Sequence, residues 1–377
     1  MMRILFIITG LSTGGAEIML LKLIEHLDRS QFTLMVISLT TLGEIGPRIA
    51  ALDVPVLALG LRPSLPNPFL FFRLVNLIQQ FKPDLVHTWM YHANLLGGLA
   101  ARMAGVRSII WGIHNSNLSI EVNKRLTLAV VRANAWLSDW LPARILSCSK
   151  IASDVHMSFG FSARKMVVIP NGFDLQCFAP DPLAYLAVRQ ELGLASHVPL
   201  IGLIGRWDPQ KNHMGFAEVA RLVHQKRPDA NFLLAGSGVD RNNITLWSTI
   251  EQAGLNGYMH LLGRRDDVPR LMAALDILVS TSIGEAFPNV LGEAMASEVP
   301  CVVTDVGDSV DIVGSTGRVV AGNDMVGLAD QLLELLNMTV DARQELGRNA
   351  RIRIQKLYEI GTIARRHETF YKTIFTE

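Results

Sequence analysis

Glu285 and Glu293 stand with seven residues between them, in a segment that also carries Phe287, Pro288, Asn289 and Val290. Pro288 suits a helix start, which puts Glu285 in the preceding loop and Glu293 early in the helix. Two carboxylates can then flank one site from different elements. The free N–H groups of the helix N-terminus would face the same place and favour phosphate oxygens or polarised hydroxyls. A second loop, Gly205-Arg206-Trp207-Asp208-Pro209-Gln210-Lys211, follows a strand-like run. Arg206 and Lys211 on it make a sensible clamp for a diphosphate, because both neutralise charge building on a leaving group. A third loop, Thr9-Gly10-Leu11-Ser12-Thr13-Gly14-Gly15-Ala16-Glu17, follows the first strand-like run. Its glycines let backbone amides approach an anion at a helix N-terminus. Taken singly, the glycine loop reads equally well as a tight βα turn, the Glu pair can be solvated charge around a helix start, and the Arg206–Lys211 loop favours a diphosphate clamp over a surface pair.

Several chemistries drop out. Gly10 to Gly15 have the outer glycines of a Walker loop, but Ala16 and Glu17 stand where it needs Lys and Ser/Thr. The Gly-x-Gly-x-x-Gly fingerprint of dinucleotide enzymes is absent, and the second strand-like run ends Ile37-Ser38-Leu39-Thr40 without an acid to hold a ribose. No Asp-x-Asp occurs, so no metal site is expected. Cys148, Cys177 and Cys301 are too scattered for a disulfide framework or a metal knuckle, which fits a reducing cytoplasm. Nothing resembles a nucleic-acid module.

These loops need strands to carry them. Short β-branched runs at 4–8, 34–38, 54–58, 85–87, 108–111, 145–148 and 166–169 alternate with longer amphipathic stretches at 16–27, 68–81 and 93–104. The alternation restarts at 200–204, then 232–235, 259–262, 277–280, 302–304 and 318–320. That pattern predicts parallel sheets covered on both faces. The fold class is therefore α/β, with two Rossmann-like domains and a ligand cleft between them. Pro170-Asn171-Gly172-Phe173-Asp174 and Pro180-Asp181-Pro182 mark the linker. The expected domains are 1–177 and 178–357, with a helix over 358–377 crossing back to the first. The N-terminus reads as a first strand rather than a signal peptide, and no run of about 20 apolar residues predicts a membrane span.

Together the motifs resemble the retaining GT-B glycosyltransferases, in particular glycosyltransferase family four. Glu285 and Glu293 match its E-x7-E signature, and Arg206 and Lys211 its diphosphate-binding pair. Gly14-Gly15-Ala16-Glu17 is similar to its glycine loop, Asn171-Gly172-Phe173-Asp174 to the segment ending its first domain, and Leu262-Gly263-Arg264-Arg265-Asp266-Asp267-Val268 to its base-pocket stretch. The matches run in the family's order across nearly the whole chain. The resemblance implies two parallel sheets facing across a central cleft and a metal-independent transfer from a nucleotide sugar, with uracil the more frequent base among relatives. Arg206 and Lys211 would hold the pyrophosphate, and Arg264 would line the base pocket. Glu293 would take the ribose hydroxyls. Phe287, Pro288, Asn289 and Val290 would offer amides to sugar or phosphate oxygens. Glu285 would lie by the donor sugar, without being a nucleophile. Gly14 and Gly15 would let the first domain approach the phosphates. His114, in Trp111-Gly112-Ile113-His114-Asn115, corresponds to a histidine near the donor sugar; as a lone histidine after a strand it reads equally as structural. Ala286, where many relatives have Gly, and Val306-Gly307-Asp308-Ser309, where a Gly-Gly run is frequent, depart from the pattern.

Acceptor recognition falls to the first domain, whose residues 1–177 carry a net +6 against −5 for 178–377. Apolar stretches with basic and aromatic residues, Pro68 to Leu74 and Arg125 to Leu141, read either as core faces or as seats in an anionic membrane interface. The expected acceptor is a glycan or lipid-linked sugar, as in cell-surface polysaccharide synthesis, met by a peripheral enzyme at the cytoplasmic face. The alternatives are a nucleotide-sugar epimerase of the same architecture and a catalytically silent nucleotide-sugar sensor.

Overall fold

Aliphatic and β-branched runs stay buried on both faces only if helices cover both sides of their sheet, and that is how this chain folds. The computed structural model describes residues 1–61, 67–119 and 124–376. Among these, the strands are β1 Met2–Ile8, β2 Phe32–Ser38, β3 Val56–Ala58, β4 Leu85–Trp89, β5 Ile109–Ile113, β6 Arg144–Ser147, β7 Met166–Val168, β8 Leu200–Ile204, β9 Asn231–Ala235, β10 Met259–Leu261, β11 Ile277–Ser280, β12 Cys301–Thr304 and β13 Arg318–Val320. They form two parallel sheets, ordered β3-β2-β1-β4-β5-β6-β7 and β10-β9-β8-β11-β12-β13. The strand order reverses between β1 and β4 in one sheet and between β8 and β11 in the other. Those switch points are where loops at the carboxyl ends of the strands diverge and leave a crevice.

Two strands end later than their sequence runs suggest. β4 continues past His87 to Trp89, and β5 past Trp111 to Ile113, because β1 carries the register onward through Ile8↔Trp89 and then Trp89↔Gly112. Trp89 and Ile113 are buried there, so the added ladder lies in the core.

The chain divides into two units, Met1–Gly172 with Ile360–Glu377, and Phe173–Glu359. The first core joins β1, β2 and β4 to the helix Gly15–His26 and to the C-terminal helix Ile360–Thr376. That last helix buries Ile360, Ile363, Ala364, His367, Tyr371 and Ile374, a single stripe at helical spacing. Each such aliphatic side chain, fully buried, contributes about 1.5–3 kcal/mol, which is why this helix packs on the first unit. Lys372 donates to the Gln31 side chain at 2.6 Å, and Glu368 accepts from the Asp28 amide at 2.8 Å, tying its outer face down. Glu377, the last residue of the expected helix, lies outside the described residues. The core of the second unit is built around β8, β9, β11 and the helices His213–Lys226 and Met325–Asn337.

The apolar stretches of the first unit form core faces with their aliphatic residues and leave several aromatics outside them. The helix Pro68–Phe81 buries Leu74, Val75 and Ile78, and Arg125–Leu137 buries Leu128, Val131 and Asn134. Phe69, Phe72, Trp136 and Trp140 are exposed instead. Among the described residues no helix is long and apolar enough to cross a membrane. Among the described residues no disulfide forms, with Cys148 and Cys301 buried and Cys177 exposed.

Candidate active site

In the second unit, the loops after β8 and β11 flank the switch point and are tied to each other. The Thr281 hydroxyl donates to the carbonyls of Lys211 (3.0 Å) and Asn212 (2.9 Å), and the Ile283 amide donates to the Gln210 carbonyl at 2.8 Å. Asn212 takes a left-handed conformation (φ 51°), which asparagine tolerates, and its side chain caps the next helix at the Gly215 amide. Lys211 is therefore delivered by a fixed turn rather than by a free loop.

Lys211 Nζ lies 2.5 Å from Glu285 Oε1, with the two side chains 24% and 14% exposed. The Ser282 hydroxyl donates to the same oxygen at 2.9 Å. The Lys-Glu pair is thus partly dry, where Coulomb attraction is several times stronger than in bulk water. Arg206 keeps 66% of its side chain exposed and pairs in a fork with Asp208 Oδ2, at 3.1 Å from Nε and 2.9 Å from Nη2. Burial alone would raise the Asp208 carboxyl, but the Gln210 amide and the Arg206 guanidinium outweigh it and hold the group below the ordinary carboxylate range. Both cations that could meet a diphosphate are thus kept in place by a carboxylate.

The β12 loop supports Glu285 from below. Gly307 has φ +55°, and a Cβ there would stand 2.6 Å from the Glu285 carbonyl oxygen and 2.7 Å from that of Ala286. The next amide, Asp308, donates to the Ala286 carbonyl at 3.1 Å. So the departure at Val306-Gly307-Asp308-Ser309 still keeps the one glycine that lets these backbones meet.

The helix Asn289–Ala296 has Pro288 as its N-cap, and the Pro288 side chain makes no cap bond. Asn289, Val290 and Glu293 are half-buried, whereas Phe287 and Pro288 are buried. Phe287 stacks on Phe173 (6.0 Å), and Tyr358 meets both rings edge-on. Phe173 also lies against Gly292, where an added Cβ would stand 2.1 Å from the ring. From the helix Val340–Tyr358, Arg351 donates to the carbonyls of Leu175 and Phe178 (3.0 Å each) and to that of Ala296, bracing the other end of the helix. In the β10 loop, Arg265 pairs with Asp267 and Glu191, and Arg270 with the same two carboxylates, fastening this loop to the helix Pro182–Glu191. Arg264 beside them is exposed, 3.9 Å from Asp266.

Gly14, Gly15 and His114 belong to the first unit. Gly14 is the N-cap of the first helix, in extended conformation, and the Glu17 carboxylate lies so close that a Cβ at Gly14 would be 2.4 Å from it. That helix therefore carries its own acid at its N-terminus. His114 follows β5 and stacks on Trp89 at 4.3 Å and 11°. Neither ring nitrogen has a hydrogen-bond partner, and burial, with a smaller contribution from His367, pushes its pKa down to about 3. The ring is neutral near pH 7.

The structure thus joins Lys211 to Glu285 and gathers Arg206, Phe287, Pro288, Asn289, Val290 and Glu293 on the same two loops and the helix that follows. Three residues that hold this set escaped the sequence reading: Thr281, Ser282 and Asp208. Their signal was proximity, since each lies within a few positions of the charged residue or loop it supports.

Residues 198–338 match the family described as glycosyl transferases group 1, and residues 13–176 match glycosyltransferase family 4. Over 309 residues the chain is 28% identical to the Escherichia coli UDP-Gal:alpha-D-GlcNAc-diphosphoundecaprenol alpha-1,3-galactosyltransferase, covering 78% of this chain and 76% of that one. It is 30% identical over 318 residues to EpsF of Bacillus subtilis, which is named a putative glycosyltransferase, covering 80% and 79% respectively. The chain is a family 4, group 1 glycosyltransferase. Its fold is shared with HepE of Anabaena, solved with UDP (24% identity, TM-score 0.86, covering 99% of this chain and 100% of HepE). It is also shared with sucrose-phosphate synthase of Thermosynechococcus elongatus (20% identity, TM-score 0.82, covering 100% of both). In this glycosyltransferase, the two family matches meet the two units separately, so the Arg206–Lys211 and Glu285–Glu293 loops fall within the group 1 half.

Proposed function

We propose that this glycosyltransferase moves a sugar from a nucleoside diphosphate, a UDP-sugar, to a glycan or lipid-linked acceptor with retention of configuration, in cell-surface polysaccharide synthesis. The observation that carries the proposal is the half-buried Lys211–Glu285 pair, on the same two switch-point loops as the forked Arg206 and the start of the helix Asn289–Ala296. The donor and acceptor named for the Escherichia coli relative, and the UDP and UDP-glucose bound to HepE, support the choice. Transferase relatives disfavour the epimerase and sensor alternatives.

In the proposed step the pyrophosphate, with more negative charge than one carboxylate, draws Lys211 from Glu285 and Arg206 from Asp208. The bond from the anomeric carbon to the β-phosphate oxygen breaks while the acceptor oxygen bonds on the same face. The acceptor's proton passes to the departing phosphate oxygen. Lys211, Arg206 and the amides at Phe287 to Val290 stabilise the developing diphosphate, and no metal ion is required for that charge. Glu285, freed from Lys211, accepts from a donor-sugar hydroxyl, and Glu293 from the ribose. Neutral His114 orients the sugar, and Gly14 and Gly15 offer backbone to the phosphates. Arg264, exposed beside the ion-paired Arg265, faces the base.

UDP and GDP then separate the donor base. At about 100 times its dissociation constant the bound nucleotide adds roughly 2.7 kcal/mol, which raises the melting temperature of a unit this size by about 5–11 °C. We expect the rise with UDP and not GDP, lost in Arg206→Ala; a GDP-only rise would overturn the base, and none with either would overturn the donor site.

We also propose that the enzyme works peripherally at an anionic membrane on the cytoplasmic face. Phe69 and Trp136 are 82% and 83% exposed, on the helices Pro68–Phe81 and Arg125–Leu137 that flank Tyr91–Met103. Arg73, Lys124, Arg125 and Arg132 lie on or beside those two helices, and Arg102 stacks on Trp140 at 5.5 Å. Rings that enter an interface beside cations suit anionic lipid. The protein should float with anionic vesicles and not with zwitterionic ones; Trp136→Ser should lower the floated fraction. Equal recovery in both vesicle types would refute the electrostatic part.

A further inference from the structure

We propose that Asp208 is a built-in competitor for the donor's phosphate: it holds Arg206 in a fork that a nucleotide must break before this arginine can serve it. Asp208 is thus a positioning residue acting through Arg206, and the inference rests on reading Arg206 as a pyrophosphate-binding residue.

The geometry makes Asp208 the fixed member of the pair and Arg206 the movable one. The Asp208 side chain is 20% exposed and the Arg206 side chain 66%. Asp208 caps the turn Pro209–Lys211: its Oδ1 accepts from the Gln210 amide at 2.9 Å, and its carbonyl accepts from the Lys211 amide at 2.9 Å. The preceding amide, Trp207, donates to the Ser237 carbonyl at 2.8 Å, which pins this stretch to the β9 loop. The other carboxylate oxygen, Oδ2, takes both Nε and Nη2 of Arg206. The arginine, two residues upstream, is folded back onto its own loop by a carboxylate that is itself tied down.

A guanidinium binds phosphate through the same paired N–H groups with which it forks a carboxylate. Asp208 and an arriving phosphate therefore ask for the same donors. Burial would raise the Asp208 carboxyl, but the Gln210 amide and Arg206 outweigh it and hold the group low, so it is charged near pH 7. With one partner mostly exposed, the pair is weak enough for a diphosphate to break. Its two hydrogen bonds put it at the upper end of surface ion pairs, equivalent to about a threefold to fivefold change in affinity. The carboxylate also reclaims Arg206 as the nucleoside diphosphate leaves, which favours product release, a step that limits turnover in many enzymes.

The test is Asp208→Asn in the full chain. Asparagine keeps an oxygen for the Gln210 amide and caps well, but it turns N–H groups rather than an acceptor toward Arg206. UDP affinity, measured by calorimetry, should rise about threefold to fivefold, and product inhibition by UDP should strengthen to match. Damage to the loop would weaken binding, so a gain is a readout that a merely structural role does not give. Asp208→Ser, which also caps without a charge, should repeat the gain if Asp208→Asn does not fold. In an Arg206→Ala background the same substitution should change UDP affinity by less than about twofold, the limit for independent sites. Unchanged or weaker UDP binding in the folded variant overturns the inference, as does a gain that persists in full without Arg206. UDP binding unaffected by Arg206→Ala alone overturns the reading of Arg206 itself, and the inference with it.

Discussion

Lys211→Ala should lower kcat/KM for glycosyl transfer by about 10²–10³ while leaving the fold intact, the range for removing one preorganised charge donor from a leaving group. The expectation follows from where the ammonium sits. Its side chain is mostly shielded and is delivered by a turn that Thr281 grips through two backbone carbonyls. It therefore needs little reorganisation to meet the developing diphosphate. Arg206 is on the same loop but mostly exposed, so water already screens much of its field. Arg206→Ala should accordingly weaken donor binding more than it slows the chemical step. Lys211→Arg should not rescue, since the planar guanidinium is bulkier than the ammonium that fits 2.5 Å from Glu285 and against Gly205. Steady-state and single-turnover kinetics with the donor identified by the nucleotide melts would measure this. A Lys211→Ala enzyme within about threefold of wild type, less than the loss of one ordinary hydrogen bond, would remove Lys211 from the mechanism.

Mild acid should unfold the first unit ahead of the second. His87, His114, His156 and His367 all belong to the first unit, with ring nitrogens buried and pKa values pushed down mainly by burial. His114 is held at about 3, and His156 and His367 at about 4. The folded values lie below the unfolded one near 6.5, so as pH falls through 6.5 the unfolded chain takes up protons that the folded unit refuses. Stability is therefore full above that pH and falls steadily below it, until the folded rings themselves protonate. Between pH 7 and pH 5.5 each histidine removes about 1.3 kcal/mol, or roughly 5 kcal/mol for the four. Whole domains are stable by only about 5–15 kcal/mol, so this loss is large. Calorimetry across that range should show the first-unit transition falling furthest. A first-unit melting temperature independent of pH would mean that these rings are not buried neutral in solution.

Much of this protein was legible in its residues. The strands at 200–204, 277–280 and 318–320 form over just those residues, because short apolar runs flanked by Gly, Pro and Asp leave little freedom in where a buried strand begins and ends. The charged loops after β8 and β11 were legible for the same reason: a loop at a strand's carboxyl end is the position a parallel sheet gives to chemistry. β4 and β5 were less so, since pairing with β1 and with each other, not local composition, carried them to Trp89 and Ile113.

What sequence alone determined was the alternation of strand and helix, the two-unit α/β fold and the identity of the charged loops, because periodicity and turn chemistry are local properties. Tertiary structure decided which partner each charge has. It set Lys211 against Glu285 and Arg206 against Asp208, and it committed Arg265 to the β10 loop while Arg264 stayed exposed. It also turned Trp136 outward and brought Tyr371 to His87 across 284 residues of chain. Those pairings depend on distances between elements that sequence spacing does not encode, so they emerge only when the sheets and helices have packed.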